Sequence, residues 1–513
     1  MARWKVLQMT FHLFIPSFYT YPIPMKYTLL IALCILSRIA FAQPDQIQKK
    51  LEGYWLQEGY GIYLEIRDSV YKFYDITNIS CQQSASPVLN NWIGSLKSLL
   101  DLYDVKKISS KEMILKYGIT SYKFKRLKTP LGICQKPIKF SNDPILNFDV
   151  LWHTFKENYA YARLRKVDWD KLYKKYRPLI SKKTTKLQLY TYFRDILDAI
   201  KDAHISLQVP KDLEIAYAKS TASLSNKGKR KRYKYNYPTA RYLAQQQVTK
   251  MFPQSTFRHF HKDLLMWGKL NQRVGYIQIN AMNGFSLDVS IPDSLSTAQY
   301  WDRHWGQIVT SLKRGKTIGQ YFRDEIRGAN VMIDSIVREL SSTSAIILDV
   351  RFNNGGTDKV ALDILSRFVQ QKTAVFSKHV WDKNNFLFEQ VIAIQPAPKT
   401  YQGKIAILTS RQTASSAETL VLSSLALPNV LRIGSPTMGV FSDVLQKQLP
   451  NGWRFGLSNE IYRSNTRQNF ESQGIPPKSL IKYPTNVMDF FEAIYSQGKS
   501  DLAIQKALDL FSK

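Results

Sequence analysis

The sequence predicts an α/β core preceded by a helical segment and a small N-terminal β domain. Three observations carry this. From residue 273 onward, apolar runs of strand length alternate with amphipathic runs of helix length. Between 141 and 210, apolar residues recur at helical spacing. Between 51 and 139, short runs rich in Tyr, Ile and Val are separated by turn residues. With 44% hydrophobic and 22% charged residues over 513 positions, the composition is globular. Wholesale disorder and collagen-like structure are excluded.

Residues 1–42 are read as a segment outside the fold. Residues 27–42 (YTLLIALCILSRIAFA) follow Lys26 and end in Ala40-Phe41-Ala42, the pattern of a secretory signal with an A-x-A cleavage site. The expected start is Met25 and the expected mature N-terminus Gln43. The apolar run is too short for a membrane span and is broken by Arg38. No membrane span is expected in the mature chain. An exported protein of the bacterial envelope, periplasmic or extracellular, is expected. Cys34 lies in the signal. Cys81 and Cys134 remain, either as a disulfide or as two buried thiols.

Residues 43–140 form the expected β domain, with strands at 61–66 and 70–74 joined by Arg67-Asp68-Ser69. Residues 141–210 form the helical domain. Asp143-Pro144 caps and opens its first helix, whose apolar face is Phe148, Leu151, Trp152, Phe155 and Tyr159. A later helix over 185–201 places Leu189, Phe193, Ile196, Leu197 and Ile200 together. Residues 211–272 read as a basic insertion or linker carrying Lys227, Lys229, Arg230, Lys231 and Arg232. His259 and His261 read as solvated loop residues. Residues 273–513 form the α/β core. Its near-continuous apolar run at 345–352 suits a buried strand. Residues 283–325 interrupt the alternation as an insertion placed to lie over the site.

The net charge of +32 first suggests a polyanion partner. Export makes nucleic acid an unsuitable one. The basic run at 227–234 fits an anionic cell-surface polymer, or a solvated loop. No metal site and no cofactor are expected: the two mature Cys lack His at zinc spacing, and there is neither a phosphate loop nor a G-x-G-x-x-G.

Two strand ends carry chemistry. Asp349-Val350-Arg351-Phe352-Asn353-Asn354-Gly355-Gly356 follows the buried strand. Paired glycines there can turn backbone N–H groups into a cleft, or form a simple turn. Thr413-Ala414-Ser415-Ser416-Ala417-Glu418 lies between a strand and a helix. Ser415 there is a nucleophile whose oxyanion meets the next N–H, or an ordinary N-cap with Glu418 closing a capping box.

Seven ordered pieces over about 143–510 resemble the tail-specific (C-terminal processing) peptidase superfamily, which includes the tricorn protease core and the interphotoreceptor retinoid-binding protein. They are DAH at 202–204, GYIQI at 275–279, DVRFNNGG at 349–356, TASSAE at 413–418, GSPTMG at 434–439, LPNG at 449–452 and ESQGIPP at 471–477. The resemblance implies a ClpP/crotonase-like ββα spiral for the core. It implies Ser415 as nucleophile and the N–H groups of Ser416 and of Gly355 or Gly356 as the oxyanion hole. The processing branch places a Lys after the G-x-P-T-x-G element, where this chain has Gly439-Val440-Phe441; Lys447 lies further on, in a predicted strand. The tricorn-like branch uses a His and a Glu, matched here by His204 and Glu471, with Ala203 where that branch carries Ser. Gly228 is the only glycine from 205 to 266, so no PDZ domain is read there. The expected function is an exported serine peptidase acting on protein or peptide substrates. The alternative is a non-catalytic binder of an apolar ligand or peptide on the same fold.

Overall fold

The computed structural model describes residues 44–84, 93–222, 233–252, 257–292, 294–383 and 385–512. The expected leader 1–42 and the basic residues Lys227, Lys229, Arg230, Lys231 and Arg232 lie outside the described residues. Helix α1 (Pro44–Leu51) closes a first unit, and a second begins at Glu52.

An antiparallel sheet comes first. Its strands are β1 (Gly53–Gln57), β2 (Ile62–Arg67), β3 (Val70–Ile76), β4 (Cys81–Gln83), β5 (Ile93–Ser95), β6 (Asp104–Ile108), β7 (Glu112–Tyr117) and β8 (Thr120–Leu127), with helix α2 (Leu96–Leu102) between β5 and β6. The order is β4-β3-β2-β1-β8-β7-β6, and β5 pairs with β3. Tyr117 pairs with Thr120, so Gly118 and Ile119 make a two-residue turn. Gly118 has φ 58°, the positive φ such a turn demands. Cys81 and Cys134 form a disulfide.

Helices α3 (Pro144–Asn158), α4 (Trp169–Tyr176) and α5 (Lys186–Ile200) follow. The Asp143 carboxylate accepts the Ile145 N–H at the start of α3. Thr185 and Gln188 form a capping box at α5, and Lys201 ends that helix at φ 57°. Phe148, Leu151, Phe155, Phe193 and Leu197 form the core of this layer.

The stretch 211–272, expected as a basic insertion or linker, carries helices and strands among its described residues. After β9 (Ser206–Gln208) come α6 (Lys211–Ala222), α7 (Tyr237–Gln246), β10 (Arg258–Phe260) and β11 (Leu265–Lys269), and the last two join the central sheet. Leu264, Leu265, Met266 and Trp267 are all buried, and β11 pairs with β12 (Val274–Ile279) from Leu265–Ile279 to Lys269–Gly275. The surrounding charge masked a short strand whose buried apolar side chains are Leu265, Met266 and Trp267. His261 is corrected with it: its Nδ1 lies 2.9 Å from the Gly284 carbonyl, and its ring packs on Phe260 and near buried His304.

The central sheet runs β10-β11-β12-β13-β16-β17-β21, where β13 is Ala345–Asp349, β16 Lys404–Thr409, β17 Val430–Gly434 and β21 Ser479–Leu480. From β12 to β21 all neighbours are parallel. Between β12 and β13 lie α8 (Thr297–Lys313) and α9 (Ile318–Glu339). Helices α10 (Asp358–Ser366) and α11 (Ser416–Ser424) follow β13 and β16. One sheet face (Ile277, Ile279, Ile346, Leu348, Ile405, Ile407) packs on α9, α10 and α11. The other (Tyr276, Ile347, Ala406, Leu408, Ile433) packs on α13 (Leu502–Phe511), and α12 (Val487–Tyr495) precedes it.

Two small sheets flank this core. One orders β15 (Asn385–Ile394), β14 (Thr373–Asp382) and β20 (Glu460–Ser464); the other orders β18 (Val444–Gln448), β19 (Arg454–Ser458) and β9. The pairing Gly456–Ser206 carries the end of the helical layer onto the core. Helix α9, whose first eight residues lie inside the predicted insertion, is built into the core through Ala329, Ile333, Ile336 and Val337. Buried Glu325 collects the N–H groups of Gly284, Phe285 and Ser286. Gly328 lets the Phe285 carbonyl approach to where a Cβ would sit at 1.8 Å.

Candidate active site

Loops leaving the carboxyl ends of β13, β16 and β17 meet at one edge of the parallel sheet, the edge where open α/β sheets place their ligands. Asp349, last in β13, grips the Arg351 guanidinium at 2.6–3.0 Å, and Arg351 also binds Asp501. This buried clamp fixes the loop that follows. Asn353 donates to the Ile279 carbonyl at 3.0 Å and accepts the Gly355 N–H at 2.8 Å. Its own carbonyl accepts the Ala414 N–H at 3.0 Å, tying the glycine loop to the serine loop.

Gly355 and Gly356 have φ 105° and 144°. A Cβ on Gly355 would sit 2.6 Å from the Ser415 Cβ, and one on Gly356 2.5 Å from the Met282 backbone. The Gly355 amide is spent on Asn353, so Gly355 is corrected as an oxyanion donor. The Gly356 N–H makes no hydrogen bond within the described residues, because its bridge to Met282 uses the amides of Met282 and Thr357. The Ser416 N–H, first in α11, is likewise unspent.

Ser415 stands at φ 53°, ψ −126° just before α11, and its side chain makes no capping bond. An ordinary N-cap has extended backbone and a bonded oxygen. This serine has neither, so its hydroxyl is exempt from local duty and its backbone is strained. Glu418 is fully buried and accepts the amides of Gly439 and Val440 at 2.7 and 2.8 Å. It also takes the Ser415 N–H and the Thr437 hydroxyl, while burial pushes its carboxyl up to about 7.

The next amide, Phe441 N–H, donates to Glu471 at 2.8 Å. The other Glu471 oxygen accepts from Arg165. Burial, reinforced by Asp202, pushes Glu471 up to about 8, with the Phe441 N–H and Arg165 partly offsetting. Arg165 also faces Asp202, at 3.9 Å. Asp202 accepts Tyr159 OH at 2.9 Å, Ser458 OH at 3.1 Å and the His204 N–H at 2.9 Å. A chain of polar contacts thus runs from Ser415 through Glu418, the 439–441 amides, Glu471, Arg165 and Asp202 to His204.

The sequence expected Glu471 to orient His204. Among the described residues no hydrogen bond joins them, and Glu471 reaches His204 only through Arg165 and Asp202. The His204 Nδ1 is buried with no partner among the described residues. Burial lowers the affinity of the ring for a proton; Asp202 and Asp443 raise it, and Arg165 lowers it. Lys447 is engaged elsewhere, donating to Asp75 at 3.0 Å and to the Gly61 carbonyl at 2.7 Å.

Several site residues escaped the sequence reading. Asp358 binds the Ser416 hydroxyl and accepts Tyr462 OH at 3.0 Å; burial, then Asp443, raises it. Buried Lys378 contacts Glu460 at 2.7 Å, Asp443 at 3.2 Å and Thr120 at 2.6 Å. Asp358 stood in plain view two residues after Gly356. Lys378 had no signal beyond a lysine within an apolar strand.

Residues 273–481, from β12 to β21, match the model of peptidase family S41, and residues 145–198 match the tricorn protease C1 domain. The chain belongs to the tail-specific peptidase superfamily. It is a serine-type peptidase by that membership. The S41 match contains Ser415, Gly356 and Glu471, and the C1 match ends just before Asp202 and His204. A candidate peptidase of Parabacteroides merdae ATCC 43184 is 19% identical, with 73% of this chain and 98% of that chain covered and a TM-score of 0.50, which shows a shared fold. Mature CPAF is 10% identical (70% and 96% covered, TM-score 0.45), and the tricorn protease 14% (89% and 46%, TM-score 0.37). No curated protein matches the chain.

Proposed function

We propose that this family member is an exported peptidase of the tricorn-like type, with Ser415 as nucleophile and His204 as general base. The observation that carries this is Ser415 itself: a strained backbone, a hydroxyl free of capping, and two unspent amides, Gly356 and Ser416, at hand. Ser415 Oγ attacks the scissile carbonyl as His204 takes its proton. The two amides receive the oxyanion. His204 then protonates the leaving amine, and a water activated by the same ring hydrolyses the acyl-enzyme. Glu471 holds Phe441 and, with Asp202 and Arg165, steadies the His204 segment.

A lysine base fits less well. Burial opposes the charge of Lys378, yet Asp443, Glu460 and Asp358 raise its pKa above the ordinary lysine range, so it keeps its proton. Export is supported by the 27–42 segment and by the Cys81–Cys134 disulfide, which suits an oxidising compartment. N-terminal sequencing of envelope material, expected to begin at Gln43, checks it. The mechanism is tested with Ser415→Ala and an active-site serine probe. The variant should keep its melting temperature and lose hydrolysis of unfolded protein by at least about a hundredfold, and the probe should label wild type at Ser415. Undiminished hydrolysis rejects the mechanism; a folded wild type that neither cleaves nor labels favours the non-catalytic binder.

A further inference from the structure

A cavity of about 270 Å³ opens beside Gly356. Its walls come from four regions of the chain: Gly356–Lys359 of the glycine loop, Asp443 and Val444 at the start of β18, the β7–β8 turn, and Phe322 of α9. A second cavity of about 590 Å³ shares Gly118, Ile119 and Lys359 with it and continues along β15. The Gly118-Ile119 turn therefore stands at the junction of two limbs of one cleft.

The turn is held from several sides. The Tyr117 ring packs on Phe322 with centroids 4.5 Å apart. The Thr120 hydroxyl accepts from Lys378 at 2.6 Å and donates to Asp443 at 3.3 Å. The Ser121 amide donates to Gln390 at 2.8 Å. Behind it, Asp101 of α2 accepts from Thr317 and Arg323, which hold the N-terminal sheet against α9. A turn fixed in this way is a wall and not a trailing loop.

Charge in the small cavity is already paired. Asp358 is bound by Ser416 and Tyr462, Asp443 by Lys378 and Thr120, and Lys359 by Asp363. What remains to meet a ligand is chiefly the surface of Tyr117, Ile119, Tyr122, Phe322 and Val444. The volume falls just below the usual range for whole small-molecule ligands, roughly 300–1,000 Å³, and suits one large side chain.

We propose that the β7–β8 turn and Phe322 form the specificity pocket that takes a bulky apolar side chain of the peptide next to its scissile bond. This rests on the reading of Ser415 and Gly356 as the reacting centre. The N-terminal sheet would then select substrate as part of the cleft, and Tyr117, Ile119 and Phe322 would be specificity-determining residues rather than catalytic ones.

The test uses binding, so that it stands apart from hydrolysis. In the full mature chain carrying Ser415→Ala, the affinity of a fluorescein-labelled unstructured peptide with one central Phe is compared with that of its central-Gly counterpart. The Phe peptide should bind about tenfold more tightly. Adding Tyr117→Ala and Phe322→Ala should abolish that preference by opening the pocket. Ile119→Trp should abolish it separately by filling the pocket, with the Gly peptide unaffected. The thermal melts show that each variant is folded, and should one of them not fold, the other decides. Equal binding of the two peptides to the parent, or a preference that survives in a folded variant, overturns the proposal. Failure of wild type to label with a serine probe would count against the catalytic reading alone.

Discussion

His204 titrates where three charges and a buried environment compete. Burial is the largest influence and disfavours the imidazolium; Asp202 and Asp443 favour it, and Arg165 disfavours it. The net direction is down from 6.5. A base with a depressed pKa stays neutral, and competent, to lower pH. The acid limb of kcat/KM is therefore expected below pH 6.5, and Asp443→Asn should move it lower still by removing a charge that favours the proton. A pH–rate profile of the two proteins checks this, and a limb above 6.5 would sink it. The motifs displayed Ser415, Gly356 and His204 in the sequence because each motif demands a residue type at a fixed place. They did not display that Gly355 spends its amide on Asn353, or that Arg165 stands between Glu471 and Asp202. Those choices depend on which side chain arrives from a distant segment, 306 positions away for Arg165 and Glu471.

Elements place these residues by their ends. Helix α11 begins just after the strained serine, and its third residue, Glu418, reaches back to the 437–440 loop after β17. The carboxyl of Glu418 moves from 4.5 to about 7 on burial. A group raised in the folded state binds its proton more tightly there than when unfolded. Its contribution to stability is therefore full below 4.5 and is lost as pH rises towards 7. At 1.36 kcal/mol per pH unit, the loss amounts to roughly 3 kcal/mol. Glu418→Gln removes the titration. The stability advantage of wild type over this variant, measured by urea unfolding, should shrink by up to that amount between pH 5 and pH 7.5; a constant difference would show Glu418 to be ionised throughout. Strands β13 and β16 and helices α3 and α5 were legible because their apolar period is unbroken. Strands β10 and β11 were not, since a short strand set among His259, His261 and Lys262 carries too few apolar residues to outweigh the charge around it.

At the scale of the molecule, the N-terminal sheet and the peptidase core meet around one buried lysine. Lys378 of β14 is wholly enclosed, with Glu460 of β20, Asp443 before β18 and Thr120 of β8 in contact, while Tyr60 donates to the other oxygen of Glu460. Thr120 lies 258 positions from Lys378 and Tyr60 lies 400 from Glu460, so no local pattern announced this joint. Removing one partner from a buried ion cluster costs more than the cluster contributes, because the remaining charges stay buried without a counter-ion. Lys378→Met should therefore destabilise the chain by about 3–5 kcal/mol. Adding Glu460→Gln should recover part of that loss by removing one stranded carboxylate. Urea unfolding of the wild type and the two variants measures both effects. A loss under about 1 kcal/mol would place the lysine among ordinary surface pairs, and an additive double variant would show that Lys378 and Glu460 do not act as a pair. The same joint fixes Thr120, the first residue beyond the turn that walls the cleft. Loosening it should therefore blunt the choice among peptides at temperatures where the chain is still folded.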